Sequence, residues 1–249
     1  MSMNISTLIS YCSLDQRFIV VNIKECLKFS DDIIVVSFDR LLNGDIEELA
    51  TLDTIKAVDP TRVRIMVLPY DSRQGPRHHH NTARWQAQKY TKHNTILFLD
   101  ADEIAEGAIV KDILHHPDMP DIHAMSFSCY WYFRSARYQA TTTESSPMLI
   151  NKTRFRKQHY FTDGERWGFA WNNPNYIEAV TGPRGAFFHH FSWARTKQEM
   201  LIKTASWGHK NDRDWHSLIE KEFSHDFNGT DFVHGYSYNI VEDHFNLGI

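Results

Sequence analysis

Short apolar runs alternate with helix-periodic segments through the first hundred residues, and this alternation restricts the fold more than any other feature of the chain. Ile5–Ser10 is a first strand candidate, and Asp15–Phe29 follows with Ile19, Ile23, Cys26 and Leu27 at helical spacing. Asp32–Asp39, read D-I-I-V-V-S-F-D, is a second buried strand ending in an acid. Gly44–Val58 reads as an amphipathic helix with Asp45, Glu47 and Glu48 in a first turn that favours negative charge. Arg64–Pro69 is a third strand, Arg77–Lys92 a helix, and Thr95–Leu99 a fourth strand. Strand–helix repetition predicts an α/β fold: a mostly parallel, Rossmann-like sheet flanked by helices and joined by right-handed crossovers.

After Glu106 the pattern changes. His123–Tyr132, Pro147–Lys152 and Ala186–Phe191 are strand candidates, while Thr196–Lys210 and Arg213–Phe223 are helical. This second part is rich in aromatic residues. No Gly/Ser-rich linker, low-complexity tract or repeat interrupts it, so residues 1–249 are expected to form a single unit. Its first half, 1–106, would bind one ligand and its second, 107–249, another.

Composition narrows the partners. A formal charge of -4 shows no basic excess, which argues against nucleic acid and requires any phosphate binding to be local. No stretch is long and apolar enough to span a membrane, and the first residues lack a basic region followed by an apolar core. Cys12, Cys26 and Cys129 are isolated and read as reduced thiols, so the expected location is cytoplasmic.

The fourth strand stops abruptly at two carboxylates, in the run T-I-L-F-L-D-A-D-E over residues 95–103. Asp100 and Asp102 would therefore stand at the carboxyl end of a buried strand, where open α/β sheets bind ligands. Hard divalent cations such as Mg²⁺ or Mn²⁺ are held by one or two carboxylates together with substrate phosphates. An Asp after a strand is also a common helix cap, so this pair alone does not decide between the two roles.

Order and spacing add to it. The opening strand, the second strand ending at Asp39, the segment G-P-R-H-H-H-N-T-A-R-W at 75–85 and I-L-F-L-D-A-D-E together resemble a GT-A-fold glycosyltransferase. The likeness is closest in style to the family 2 enzymes and related bacterial or viral transferases, with a weaker echo at H-H-F-S-W-A-R, 189–195. It covers roughly the first half of the chain.

The resemblance implies a soluble, metal-dependent transferase. It would move a sugar from a nucleoside-diphosphate sugar, a UDP-sugar first among them, to a glycan or other hydroxyl acceptor with inversion. Asp39 matches the acid that contacts the nucleotide base or ribose. Asn81 and Arg84 share one helical face, and Arg84 suits a diphosphate or the paired aspartates. Asp102 is the expected ligand of Mn²⁺ or Mg²⁺, with Asp100 on the ribose or the ion's water shell. A third ligand is expected from a later strand. His189 and His190 point to opposite faces there, so one of them would ligate, and His190 is the choice. His209 is a second candidate near the diphosphate. His78, His79 and His80 cannot converge on one ion, because consecutive helical side chains diverge.

An inverting transferase needs a carboxylate within hydrogen-bond reach of the acceptor hydroxyl. The segment T-D-G-E-R-W-G-F-A-W at 162–171 offers Asp163 and Glu165, with Trp167, Trp171 and Tyr176 as stacking surfaces for a sugar. Its surroundings depart from the family pattern, so the base is one of the two. The segment 128–138, with Arg134 and Arg137, is a candidate for the acceptor side. Two other readings keep the same fold: a sugar-nucleotidyltransferase, disfavoured because Ser10–Phe18 has no glycine, and a non-catalytic carbohydrate-binding protein.

Overall fold

Val, Ile and Leu dominate the four early apolar runs, and each becomes a strand; three of them are buried on both faces, and the third in sequence, at the sheet edge, is only partly buried. In the computed structural model, which describes residues 4–114, 123–162 and 165–249, these are β1 (Ile5–Ser10), β2 (Asp32–Phe38), β3 (Val63–Leu68) and β4 (Thr95–Asp100). Three helices connect them: α1 (Gln16–Cys26), α2 (Leu52–Ala57) and α3 (Pro76–Ala87). All four strands are parallel, in the order β3-β2-β1-β4. Alternate side chains feed opposite layers. Ile33, Val35, Leu97 and Leu99 pack under Ile19 and Ile23 of α1, whereas Ile34, Val36, Ile96 and Phe98 pack under Ala83 and Ala87 of α3.

The sheet does not end there. β5 (Glu103–Ala105), α4 (Gly107–Leu114), β6 (Ala124–Phe133), β7 (Ser135–Asn151), α5 (Lys157–Tyr160), β8 (Tyr176–Val180) and β9 (Phe188–Trp193) follow. β7 runs antiparallel to β4 and extends the sheet through β6 and β9 to β5. Then α6 (Lys197–Ala205), α7 (Trp215–Glu222) and β10 (Tyr238–Ile240), which pairs with β7, complete the fold. Trp131, Phe133, Trp193 and Trp215 form an aromatic core between this extension and α6–α7.

Two sequence expectations fail here for clear reasons. Gly44–Val58 is not one helix, since α2 begins at Leu52. Gly44 takes a φ of 95°, Asn43 Oδ1 accepts from Asp45 N, and Arg40 bridges Ile46. The acids predicted to load a first helical turn instead shape a loop. Glu47 is buried, and its Oε1 accepts from the backbone N–H groups of Ser13 (2.9 Å) and Glu48 (3.0 Å).

The strand expected from Pro147 is the last third of β7. Opposite it, the register steps from Ser126–Met148 to Ser128–Ser145, which leaves one extra residue at Ser146–Pro147. Proline cannot donate to a ladder, so it sits at this bulge, and the bulge re-aims the Ser146 carbonyl. β5, β8 and β10 are too short for periodicity to register.

Candidate active site

A parallel sheet ordered 3-2-1-4 has its switch point between β1 and β4, where successive connections leave on opposite faces. Ser10 and Asp100 face each other in register there. The crevice beyond them opens into a cleft of about 630 Å³, within the size range of ligand pockets. Arg40, Arg77, Arg84, Arg166 and Lys203 line it together with Asp15, Glu47, Asp100, Asp102, Glu144 and Glu165, so cationic and acidic side chains meet in the same cleft.

The turn after β4 is held through its backbone. Asn22, fully buried on α1, reaches the carbonyls of Asp100 (3.1 Å), Ala101 (3.0 Å) and Glu103 (2.9 Å) with its Nδ2. Glu103, 1% exposed, accepts the Asp100 N–H at 2.7 Å. Arg166 then closes a clamp, with Nη1 2.9 Å from Glu103 Oε2 and Nη2 2.9 Å from Asp100 Oδ1. The Ser146 carbonyl at the bulge accepts from the same Nη1. Burial would raise the Asp100 carboxyl, but Arg166, Arg84 and His80 hold it below its ordinary value.

Asp102, 4% exposed, meets a different set. Its Oδ2 lies 3.1 Å from Lys203 Nζ and 3.3 Å from Arg195 Nη2, while its Oδ1 faces His190 Nε2 at 3.6 Å. Burial again works against the charge, and Lys203, His190 and Arg195 overcome it, holding this carboxyl well below the usual carboxylate range. Asp102 is thus ionised throughout the physiological range.

β9 separates the paired histidines as strand alternation requires. His190 turns into the cleft and His189 to the other face, where it meets Tyr132 and Glu106. The His190 ring is buried beside the Cys129 thiol. Against its burial, Cys129, Asp102 and Glu103 push the His190 pKa up to about 10, so without an ion the ring carries a proton and pairs with Asp102. A divalent ion held by these two residues would displace that proton and take its remaining ligands from substrate phosphates and water.

The other expected residues divide. Arg84 is buried in the cleft wall, and its guanidinium donates to the Glu165 carbonyl. His80 lines the cleft beside it, and burial with Arg84 nearby lowers its pKa. His79 stacks on Tyr70 and His78 packs on Phe161, so the three histidines diverge as expected. Asn81 is buried in α3 and is not part of the cleft lining. Asp39 is exposed; its Oδ1 accepts the Tyr70 N–H at 2.7 Å, and its neighbours Phe38 and Arg40 line the cleft instead.

Glu165 stands at the mouth, 3.9 Å from His209 Nε2, and Trp167 lines the wall. Asp163 lies outside the described residues. Tyr176 spends its hydroxyl on Ser126, and Arg134 pairs with Glu222 over the Phe223 ring, so neither serves the cleft. Of segment 128–138, only Trp131 lines the cleft. Sequence reasoning missed Asn22, Glu103, Arg166, Arg195 and Lys203. Glu103, Arg166 and Arg195 sit inside the quoted segments 95–103, 162–171 and 189–195, whereas Asn22 and Lys203 carry no local pattern. It also missed Glu144 on β7, which lines the cleft and accepts from the Tyr236 hydroxyl at 3.1 Å.

The sequence matches no protein-family model and no curated protein. Among solved structures it is similar to S. aureus TarS 1–349 in complex with UDP-GlcNAc, with a TM-score of 0.53 and 13% identity over 89% of this chain and 73% of that one. The same protein in complex with UDP gives a TM-score of 0.51 and 13% identity over 90% and 73%. A looser likeness, TM-score 0.46 and 11% identity over 89% and 64%, is to the glycosyltransferase GlyE of Streptococcus pneumoniae TIGR4. Identities this low speak to architecture, and the architecture is the GT-A-like glycosyltransferase fold.

Proposed function

We propose that this chain is a nucleotide-sugar glycosyltransferase that passes a sugar from a UDP-sugar to a hydroxyl group of a glycan acceptor. The observation that carries the reading is the position of Asp100 and Asp102 at the switch point of a GT-A-like sheet, in a cleft where Arg84 and Lys203 stand beside them. TarS, whose fold this chain shares, was crystallised with UDP and UDP-GlcNAc, which supports a uridine donor.

In this reading the diphosphate lies against Arg84 and Lys203, with Arg166 behind them fixing Asp100. Arginine forks suit phosphate oxygens bidentately, and the Lys203 ammonium acts as a compact charge. Asp102 and His190 would hold Mn²⁺ or Mg²⁺, which when bound would neutralise charge on the leaving diphosphate. Asp100, fixed by Arg166, orients the ribose side. A carboxylate across the cleft takes the acceptor proton as the hydroxyl attacks, giving inversion. Glu165 or Asp163 is the first choice for that base. Glu144 is a second, favoured by its place in the cleft wall and its support from Tyr236.

A thermal-shift screen against UDP-, GDP-, CMP- and dTDP-sugars, with and without Mn²⁺, tests the reading. Ligand at one hundred times its dissociation constant adds about 2.7 kcal/mol of apparent stability, which such a screen detects. The expected result is a shift for one nucleotide class that Asp102→Asn abolishes. A folded sample that responds to none would remove the donor site and leave a binding protein of the same fold.

A further inference from the structure

His189, neighbour of the cleft histidine, is 4% exposed and faces a cluster that the transfer reading does not use. Its Nε2 lies 3.3 Å from Glu106 Oε1, and Glu106 Oε2 lies 3.8 Å from His244 Nε2. One candidate ligand atom from each of the three lies within 4.8 Å of the others. The two imidazoles stack at 5.1 Å with 14° between their planes. We propose that Glu106, His189 and His244 form a structural site for a borderline divalent ion, Zn²⁺ by its chemistry, which pins residues 241–249 to the sheet.

The donor set selects the ion. Two imidazole nitrogens and one carboxylate suit Zn²⁺, whereas Mg²⁺ and Mn²⁺ favour oxygen ligands. Ligands about 2.0–2.1 Å from a tetrahedral Zn²⁺ stand roughly 3.4 Å apart, a spacing the Glu106–His189 pair already has. The fourth position is left for water.

Support around the ligands fits as well. His189 Nδ1 lies 2.7 Å from the Tyr132 hydroxyl, which in turn accepts from Gln139 Nε2 at 2.7 Å. With its proton on Nδ1, His189 presents the Nε2 lone pair to the ion, and the Tyr132 oxygen receives that proton's hydrogen bond. Arg184 Nη2 is 3.9 Å from Glu106 Oε2, but its side chain is 84% exposed and free to swing into solvent.

The three ligands come from separate parts of the chain: the turn before α4, the start of β9 and the final segment. That segment already leans on the same wall, with Phe245 edge-on to His189 at 5.0 Å and the Ile249 carbonyl accepting from Ser135 Oγ at 2.7 Å. An ion would cross-link them at His244, whose side chain is half exposed.

The test strips the full-length protein with EDTA, removes the chelator and titrates Co²⁺, read by its visible d–d absorption, with Zn²⁺ as competitor and thermal stability as a second readout. Asp102→Asn silences the cleft site, so failure here leaves the transferase reading untouched and the reverse also holds. The expected result is one equivalent of Co²⁺ in Asp102→Asn with the strong absorption of a four- or five-coordinate ion, displaced by Zn²⁺. Combining it with His244→Ala or the near-isosteric Glu106→Gln should weaken binding at least tenfold and abolish the Zn²⁺-induced rise in Tm, with circular dichroism unchanged. No such absorption in Asp102→Asn, or equal affinity in the double variants, would overturn the site.

Discussion

Lys203 Nζ lies 3.1 Å from Asp102 Oδ2 and also donates to the carbonyl and hydroxyl of Ser192, each at 2.9 Å. A lysine from α6 is thus locked against a carboxylate 101 residues earlier in the chain, and both open onto the cleft. Lys203→Met removes a cation from the proposed diphosphate site while keeping the side-chain bulk. Hydrogen bonds to charged groups contribute about 1.5–3 kcal/mol, so the Kd for UDP, measured calorimetrically with Mn²⁺ present, should rise roughly 10- to 100-fold. An unchanged Kd would confine Lys203 to bracing Asp102.

Arg166 holds two carboxylates at once, and its side chain is 5% exposed. Breaking a buried ion cluster by removing one partner costs about 3–5 kcal/mol, because the remaining charges stay buried and unpaired. Arg166→Ala should show that loss in urea unfolding. Arg166→Lys should recover only part of it, since one ammonium cannot span Asp100 and Glu103 in the geometry of a planar fork.

The proton acceptor is separable from donor binding. Glu165→Gln and Glu144→Gln each keep size and lose basicity. General-base loss lowers turnover by about 10²–10⁴. The variant whose kcat falls that far while its UDP-sugar Kd stays constant identifies the base. A fall in neither moves the role to Asp163.

Acid should weaken the sheet through Asp32. This fully buried carboxylate accepts from Ser6 Oγ (2.6 Å) and Lys92 N (2.7 Å) and pairs with Arg64, tying β1, β2 and β3 together. Burial would raise its pKa, but Ser6, the Lys92 amide and Arg64 bring it below the ordinary value. The folded pKa is therefore lower than the unfolded one of about 3.9, so this stabilisation is complete above that value and fades as pH falls through the folded pKa. Asp32→Asn should lose about 1–3 kcal/mol at neutral pH and show a shallower acid limb in unfolding curves recorded from pH 7 down to acid.

Local pattern alone determined the four parallel strands and the first helix. The apolar runs that became β1 to β4, the helical spacing of Ile19 and Ile23, and the stop at Asp100 and Asp102 are one-dimensional signals, because burial on two faces imposes continuous apolar runs. The opposite facing of His189 and His190 was equally legible, since strand alternation needs only neighbours. What surrounds those aspartates was decided by the tertiary structure. Arg166 reaches them across a bulge, Lys203 and Arg195 come from beyond β9, and Asn22 grips the turn from α1. None of these contacts has a spacing that repeats in sequence, because each is set by how a twisted sheet folds back on itself. Glu47 makes the same point in reverse. A helix-like acidic turn in sequence became a buried carboxylate bracing a loop, once Ser13 brought an N–H within its reach.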